Sequence, residues 1–339
     1  MIDAAFATLP LKTAGDSLPA GAGKPMPARP ENPDMREGVN IWFAEDNGEF
    51  AFPRLAVDAT GEHWDNRLVC ANVSLNDGRV FDGWGMFPRV PTEDADGNPT
   101  IVGCSVLQFR CIEPLKKWHV TYADEPLAGT IDEQIAKQMD PAKRAAIRLD
   151  AEITVTSVPW AQYFAPGDTS FAARAMGVGW RYEVPVAING TFEVDGKPRP
   201  FKGTGVLIHR HSIRDFAGFW GHDWQAAAFP DGSAFGCNVY PEKAGQPDYN
   251  TGYIYKDGKC YNARVVEAPW LTELKPHGSD VSLVLESELG RTRIEGTTML
   301  CTFKPQWDLM GGLSLEQSAV QYRWGDQTAI GIIERSCPV

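Results

Sequence analysis

The chain has 339 residues, with 32 Lys+Arg against 44 Asp+Glu and a formal net charge of −12. Its 43% hydrophobic and 22% charged residues suit a globular protein and exclude a wholly disordered one. The acidity argues against nucleic acid or an anionic membrane as main partner, since both select a basic face. Abundant Gly (33) and Pro (25) favour a turn-rich β protein. The seven cysteines form no CxxC pair and read as reduced thiols. No basic segment leads into an apolar run at the N-terminus, and no apolar stretch nears the ~20 residues that cross a bilayer. The expectation is a cytoplasmic protein without membrane insertion.

Residues 1–37 carry Pro19, Pro25, Pro27, Pro30 and Pro33 and read as an extended arm. From Gly38 the β signal dominates. Asn-Gly and Asp-Gly pairs favour positive φ and mark hairpin turns at Asn47-Gly48, Asp77-Gly78, Asp96-Gly97, Asn189-Gly190, Asp195-Gly196, Asp231-Gly232 and Asp257-Gly258. Residues 38–129 are predicted to form a first β-barrel-like domain. In Thr130 to Asp150 apolar residues recur at three and four, with Asp132 and Glu133 in the first turn. This predicts a helical connection over 130–150, broken at Asp140-Pro141. Residues 151–339 are predicted to form a second β-barrel-like domain. Regular strands with tight turns favour barrels or sandwiches.

No GxGxxG before a helix, Walker loop, HExxH or GxSxG elbow is present, which weakens nucleotide-dependent and serine-hydrolase readings. The densest polar-aromatic cluster runs from His209 through Arg210, His211, Arg214 and Asp215 to Trp220, His222, Asp223 and Trp224. On a strand, 209 and 211 share one face. A bend at Gly221 brings His222 back to the same mouth. His222 beside Asp223 is the first candidate for general acid or base, because imidazole titrates near neutrality. Asp215 with His211 is the alternative pair. Arg210 or Arg214 could hold an oxyanion or a carboxylate. Trp220 and Trp224 could wall the pocket, Glu183 could face the same lumen, and Tyr240 could donate to a developing oxyanion. A metal on His209, His211 and His222 is the rival reading. Its spacing matches no established ligand pattern, so neither a metal nor another cofactor is expected.

The run Gly203 to Trp224, followed by Gln225 to Tyr240, resembles the second domain of the AttH-like and carotenoid 1,2-hydratase group. Arg36 to Asn40, the Asp77-Gly78 hairpin and Glu113 to Trp118 look like its first domain. The resemblance spans about residues 36–336. Arg214-Asp215, Trp220-Gly221 and Asp223-Trp224 match motifs of that group, with His222 where a second Arg is usual. It implies an all-β chain of two tandem lipocalin-like barrel or sandwich domains. For the hydratase branch it implies acid–base work by His, Trp, Tyr and Asp, nearest here to His222, Trp224, Tyr240 and Asp223.

The expected function is a cofactor-independent lyase, hydratase or isomerase acting on a hydrophobic, aromatic or isoprenoid small molecule. Hydro-lyase and carbon–carbon lyase chemistry both stay open. The alternative is a lipocalin-like carrier without catalysis. The expected partner is that small molecule, with a homodimer as an option.

Overall fold

In a computed structural model of the chain, the described residues are 12–13, 21–170, 173, 176–214, 220–241 and 249–339. They are almost all β. The first strands are β1 (Lys12–Thr13), β2 (Met35–Glu45), β3 (Phe50–Thr60), β4 (Asn66–Leu75), β5 (Arg79–Pro88), β6 (Ile101–Gly103), β7 (Leu107–Glu113), β8 (Lys117–Asp124) and β9 (Leu127–Thr130). A short helix, α1 (Ile131–Ile135), precedes β10 (Ile147–Val155), β11 (Trp160–Phe164), β12 (Val178–Val194) and β13 (Lys197–Ile213). These thirteen strands form one sheet, ordered β6-β7-β8-β10-β12-β13-β2-β3-β4-β5-β9, with β11 beside β12 and β1 beside β11. An isolated bridge from Arg89 to Cys104 brings the β5 and β6 ends together, so the sheet curls around its own core.

The remaining strands are β14 (His222–Ala228), β15 (Ala234–Tyr240), β16 (Tyr249–Lys256), β17 (Lys259–Glu267), β18 (Leu283–Ser287), β19 (Gly290–Trp307), β20 (Leu313–Trp324) and β21 (Gln327–Cys337). They close into an eight-stranded antiparallel barrel, with β21 pairing back onto β14.

The period-two alternation decides which core each side chain enters. On β2, Val39, Ile41 and Phe43 fill the core of the first unit, while Asn40 and Trp42 point out of it. On β14, Ala227 enters the barrel core, while Trp224 and Ala226 face the first unit. Trp42, Val206 and Ile208 meet Trp224, Ala226 and Ile332 in a third cluster that joins the two units. Burial of these large apolar groups, at about 25 cal/mol per Å2, holds the units together.

Several expected turns are present: Asp195-Gly196 and Asp257-Gly258 have both φ values positive and close the β12–β13 and β16–β17 hairpins. Asn189-Gly190 is not a turn. It lies inside β12, where a Cβ on Gly190 would stand 2.1 Å from the Asp150 carbonyl oxygen, so the glycine admits β10. The helix expected over 130–150 shrinks to five residues, capped by the reciprocal Thr130–Glu133 box. Ile147, Leu149, Ala151 and Ile153 alternate buried with exposed neighbours, and β10 pairs on both sides, with β8 and β12. The sheets therefore divide between β13 and β14, not at 130–150. Strands 147–213 belong with the first unit. The arm expected over 1–37 ends before β2 begins at Met35, and its residues 1–11 and 14–20 lie outside the described residues. No helix among the described residues is long and apolar enough to cross a membrane.

Candidate functional site

A cavity of about 260 Å3 lies between the two units. Its first-unit wall comes from β2, β3, β4, β5, β12 and β13, and its barrel wall from β14, β15, β19 and β21. His222 lines the cavity and is 5% exposed. The His222 Nε2 atom is 3.1 Å from Glu334 Oε1, and Nδ1 is 2.7 Å from Ser336 Oγ. Glu334 also faces Arg54 at 3.5 Å and accepts a hydrogen bond from the Gln317 amide, which in turn meets Asn72 of β4. Burial pushes the Glu334 carboxyl up, but the His222 hydrogen bond and the Arg54 charge outweigh it and hold the group at about 2. Glu334 is thus an ionised acceptor that keeps the His222 ring oriented.

Ser336, His222 and Glu334 have the connectivity of a hydrolase triad. Ser336 is nevertheless 1% exposed and is absent from the cavity wall, so its hydroxyl cannot meet an ester there. It acts as a ring anchor.

Tyr240 stands beside His222, with ring centroids 6.0 Å apart. The Tyr240 hydroxyl accepts a hydrogen bond from Arg214 Nη2 at 2.9 Å. Trp224 lies 4.7 Å from Trp42 on the apolar side of the cavity. Its indole N–H donates to Glu183 Oε2 at 3.1 Å, and Arg181 donates to the same oxygen at 2.5 Å. Asp58 pairs with Arg36 at 3.3 Å and lies 3.9 Å from Arg54.

His222, Tyr240, Trp224, Arg210 and Arg214 are thus brought to one cavity. Four other expectations need correction. Asp223 does not orient His222: as the next residue on β14 it points into the barrel, near Gln225, and burial pushes its carboxyl up to about 7. His211 is on the opposite face of β13 from Arg210. Together with His209 it enters the first unit, where its Nε2 is 3.1 Å from Glu37. His222 does not join them. Glu183 stands behind the wall as a clamp for Arg181 and Trp224. Trp220 packs on Tyr240 and donates to the Pro241 carbonyl at 2.6 Å without lining the cavity. Asp215 lies outside the described residues.

The rival metal set is also redrawn. Glu37, His209 and His211 bring their ligand atoms within 4.8 Å of one another, without His222. Arg67 Nη1 lies 3.7 Å from the same carboxylate, and burial holds His209 down at about 4. The trio therefore reads as a charge-balanced cluster in the first core.

Sequence reasoning missed Glu334, Arg36, Arg54, Asp58 and Arg181. A signal existed for the first: it is the lone carboxylate of its strand and directly follows Ile332-Ile333. Arg36, Asn40 and Trp42 likewise mark an outward-facing row on β2.

A family model described as "Domain of unknown function (DUF7064)" matches residues 25–338. The chain belongs to the DUF7064 family. No curated protein matches the sequence. Among solved structures, an AttH candidate from Nitrosomonas europaea superposes with a TM-score of 0.58 at 15% identity, covering 90% of this chain and 93% of that one. CghA superposes with a TM-score of 0.50 at 11% identity, covering 94% and 95%. CghA with Sch210972 gives 0.50 at 11%, covering 96% and 97%. At these identities the likeness concerns the fold: this DUF7064 chain has the AttH-like tandem lipocalin architecture over nearly its whole length.

Proposed function

We propose that this DUF7064 protein is a hydratase- or lyase-type enzyme, working by general acid–base catalysis on a hydrophobic small molecule held between its two units. The observation that carries the reading is the His222–Glu334 pair in the wall of an aromatic cavity. Adding or removing water moves one proton at carbon and one at oxygen, so two proton-handling groups are needed. His222, held by Glu334, is one. The Tyr240 hydroxyl, backed by Arg214, is the second: in dehydration it donates its proton to the leaving hydroxyl, which departs as water, and hydration reverses both transfers. Trp42 and Trp224 exclude water and bind the apolar body of the substrate. The sequence resemblance to the carotenoid 1,2-hydratase group supports the reaction class. CghA has been seen with Sch210972, which supports small-molecule binding on this architecture.

The test is to identify a molecule that co-purifies with the protein by native mass spectrometry and return it in H218O and D2O. Enzyme-dependent entry of solvent oxygen or deuterium is expected. Saturable binding with no isotope entry would mark a carrier and overturn the catalytic reading.

A further inference from the structure

Resting on that reading of the cavity, Arg210 gives it a chemical specificity. Five arginines, Arg36, Arg54, Arg181, Arg210 and Arg214, line the cavity in a chain whose net charge is −12. Arg36 is paired with Asp58, Arg54 with Asp58 and Glu334, and Arg181 with Glu183. Arg214 donates to Tyr240. Arg210 differs in degree: Arg36, Arg54 and Arg181 each leave only Nε without a hydrogen-bond partner, whereas Arg210, 5% exposed, leaves both Nε and Nη1 without one and makes no ion pair among the described residues. Its neighbour across the strand pair is Gly38, where a Cβ would stand 2.1 Å from Asp58 Oδ1 and 3.5 Å from Arg210 Cγ. The Asp58 carboxylate occupies the space that a side chain at 38 would fill, beside the Arg210 stem. A buried guanidinium with open donors is costly unless an anion completes it.

We propose that Arg210 is the anion seat of the cavity and that the ligand is an aryl or polyenyl carboxylate, its charged end on Arg210 and its apolar body on Trp42 and Trp224. A guanidinium presents a planar fork that fits a carboxylate in bidentate fashion. One open fork matches a monoanion better than a phosphate dianion. Burial, together with Arg36, Arg214 and Arg181 nearby, pushes the Arg210 group well down from its ordinary value, which an anion reverses.

The test compares 2-naphthoate, 2-naphthalenemethanol and 2-naphthyl phosphate by calorimetry and tryptophan quenching, with the full chain and with Arg210→Gln, Arg210→Lys and His222→Gln. Wild type should bind naphthoate about tenfold or more tighter than the alcohol, and tighter than the phosphate. Arg210→Gln should abolish that preference and leave alcohol binding unchanged, and Arg210→Lys should retain part of it. Equal affinity for acid and alcohol, no saturable naphthoate binding, tighter phosphate binding, or preference retained in Arg210→Gln would each overturn the proposal. The wild-type comparison stands even where a variant does not fold. His222→Gln separates the two readings. A retained preference with normal turnover removes the acid–base role and leaves the seat. A lost turnover without any wild-type preference for the acid removes the seat and leaves the acid–base role.

Discussion

Glu334 and His222 are diagonal neighbours across the β14–β21 ladder, where Trp224 pairs with Glu334 and His222 pairs with Ser336. The 3.1 Å contact between Glu334 Oε1 and His222 Nε2 therefore follows from strand register, not from a loop that must be caught in the right shape. Replacing Glu334 with Gln keeps the shape and removes the carboxylate that faces the ring. Turnover should fall by about 10- to 100-fold, with ligand affinity nearly unchanged. Steady-state kinetics paired with calorimetry checks this. A change in affinity alone would assign Glu334 to binding.

Asp223 gives the contrasting case. Its carboxyl is raised to about 7 by burial, so the folded state holds a proton that the unfolded chain has lost. Asp223 therefore costs stability progressively from about pH 4 to about pH 7, by up to about 4 kcal/mol. Asp223→Asn should be more stable than wild type above pH 7, converge with it below pH 4, and keep its turnover within about threefold. Urea unfolding across pH measures the first two outcomes. A large loss of turnover would return Asp223 to the site.

Acid should act through other groups. Hydrogen bonds and charges hold Glu37 and Glu334 at about 2 despite burial. Their contribution is complete above the ordinary carboxylate range, near pH 4.5, and is lost as pH falls through about 2. His209, held at about 4 by burial, adds a loss as pH falls from its ordinary value near 6.5 to about 4. The His209 loss runs over the window in which protonation relieves Asp223, so the upper stage should emerge in Asp223→Asn, and the lower stage should shrink in Glu334→Gln.

Much of this fold was legible locally. The Asn-Gly and Asp-Gly pairs located the β2–β3, β4–β5, β12–β13, β14–β15 and β16–β17 hairpins, because a strand's period and a turn's φ are set by a few neighbouring residues. Sheet partners were not legible: β13 pairs with β2, and His222 meets a carboxylate 112 residues away. The misreading of Asp223 was avoidable, since consecutive strand residues face opposite sides. Helical spacing in 130–150 competed with the alternation that starts at Ile147, and two flanking strands decided the outcome.

Gly221 tests the backbone beneath the site. Its φ is +128°, and a Cβ would lie 2.6 Å from the Ser336 carbonyl oxygen. Gly221→Ala should push β14 from β21 where His222 meets Ser336, costing about 1–3 kcal/mol and reducing turnover. Thermal unfolding and kinetics report both effects.

Glu183 tests the clamp behind the wall. Glu183→Ala leaves Arg181 buried without its carboxylate and Trp224 without its acceptor, and should cost about 3–5 kcal/mol. A loss below about 1 kcal/mol would mean that the pair is already hydrated.

The most direct measurement is the rate of solvent-isotope entry into the co-purified ligand for wild type and His222→Gln, with the dissociation constant of each. Gln keeps polarity and approximate size but cannot carry a proton. The rate should fall by ~10²–10⁴ with the dissociation constant nearly unchanged. A His222→Gln protein that exchanges isotope at the wild-type rate would contradict the assignment of the inter-unit cavity as an acid–base site built on His222.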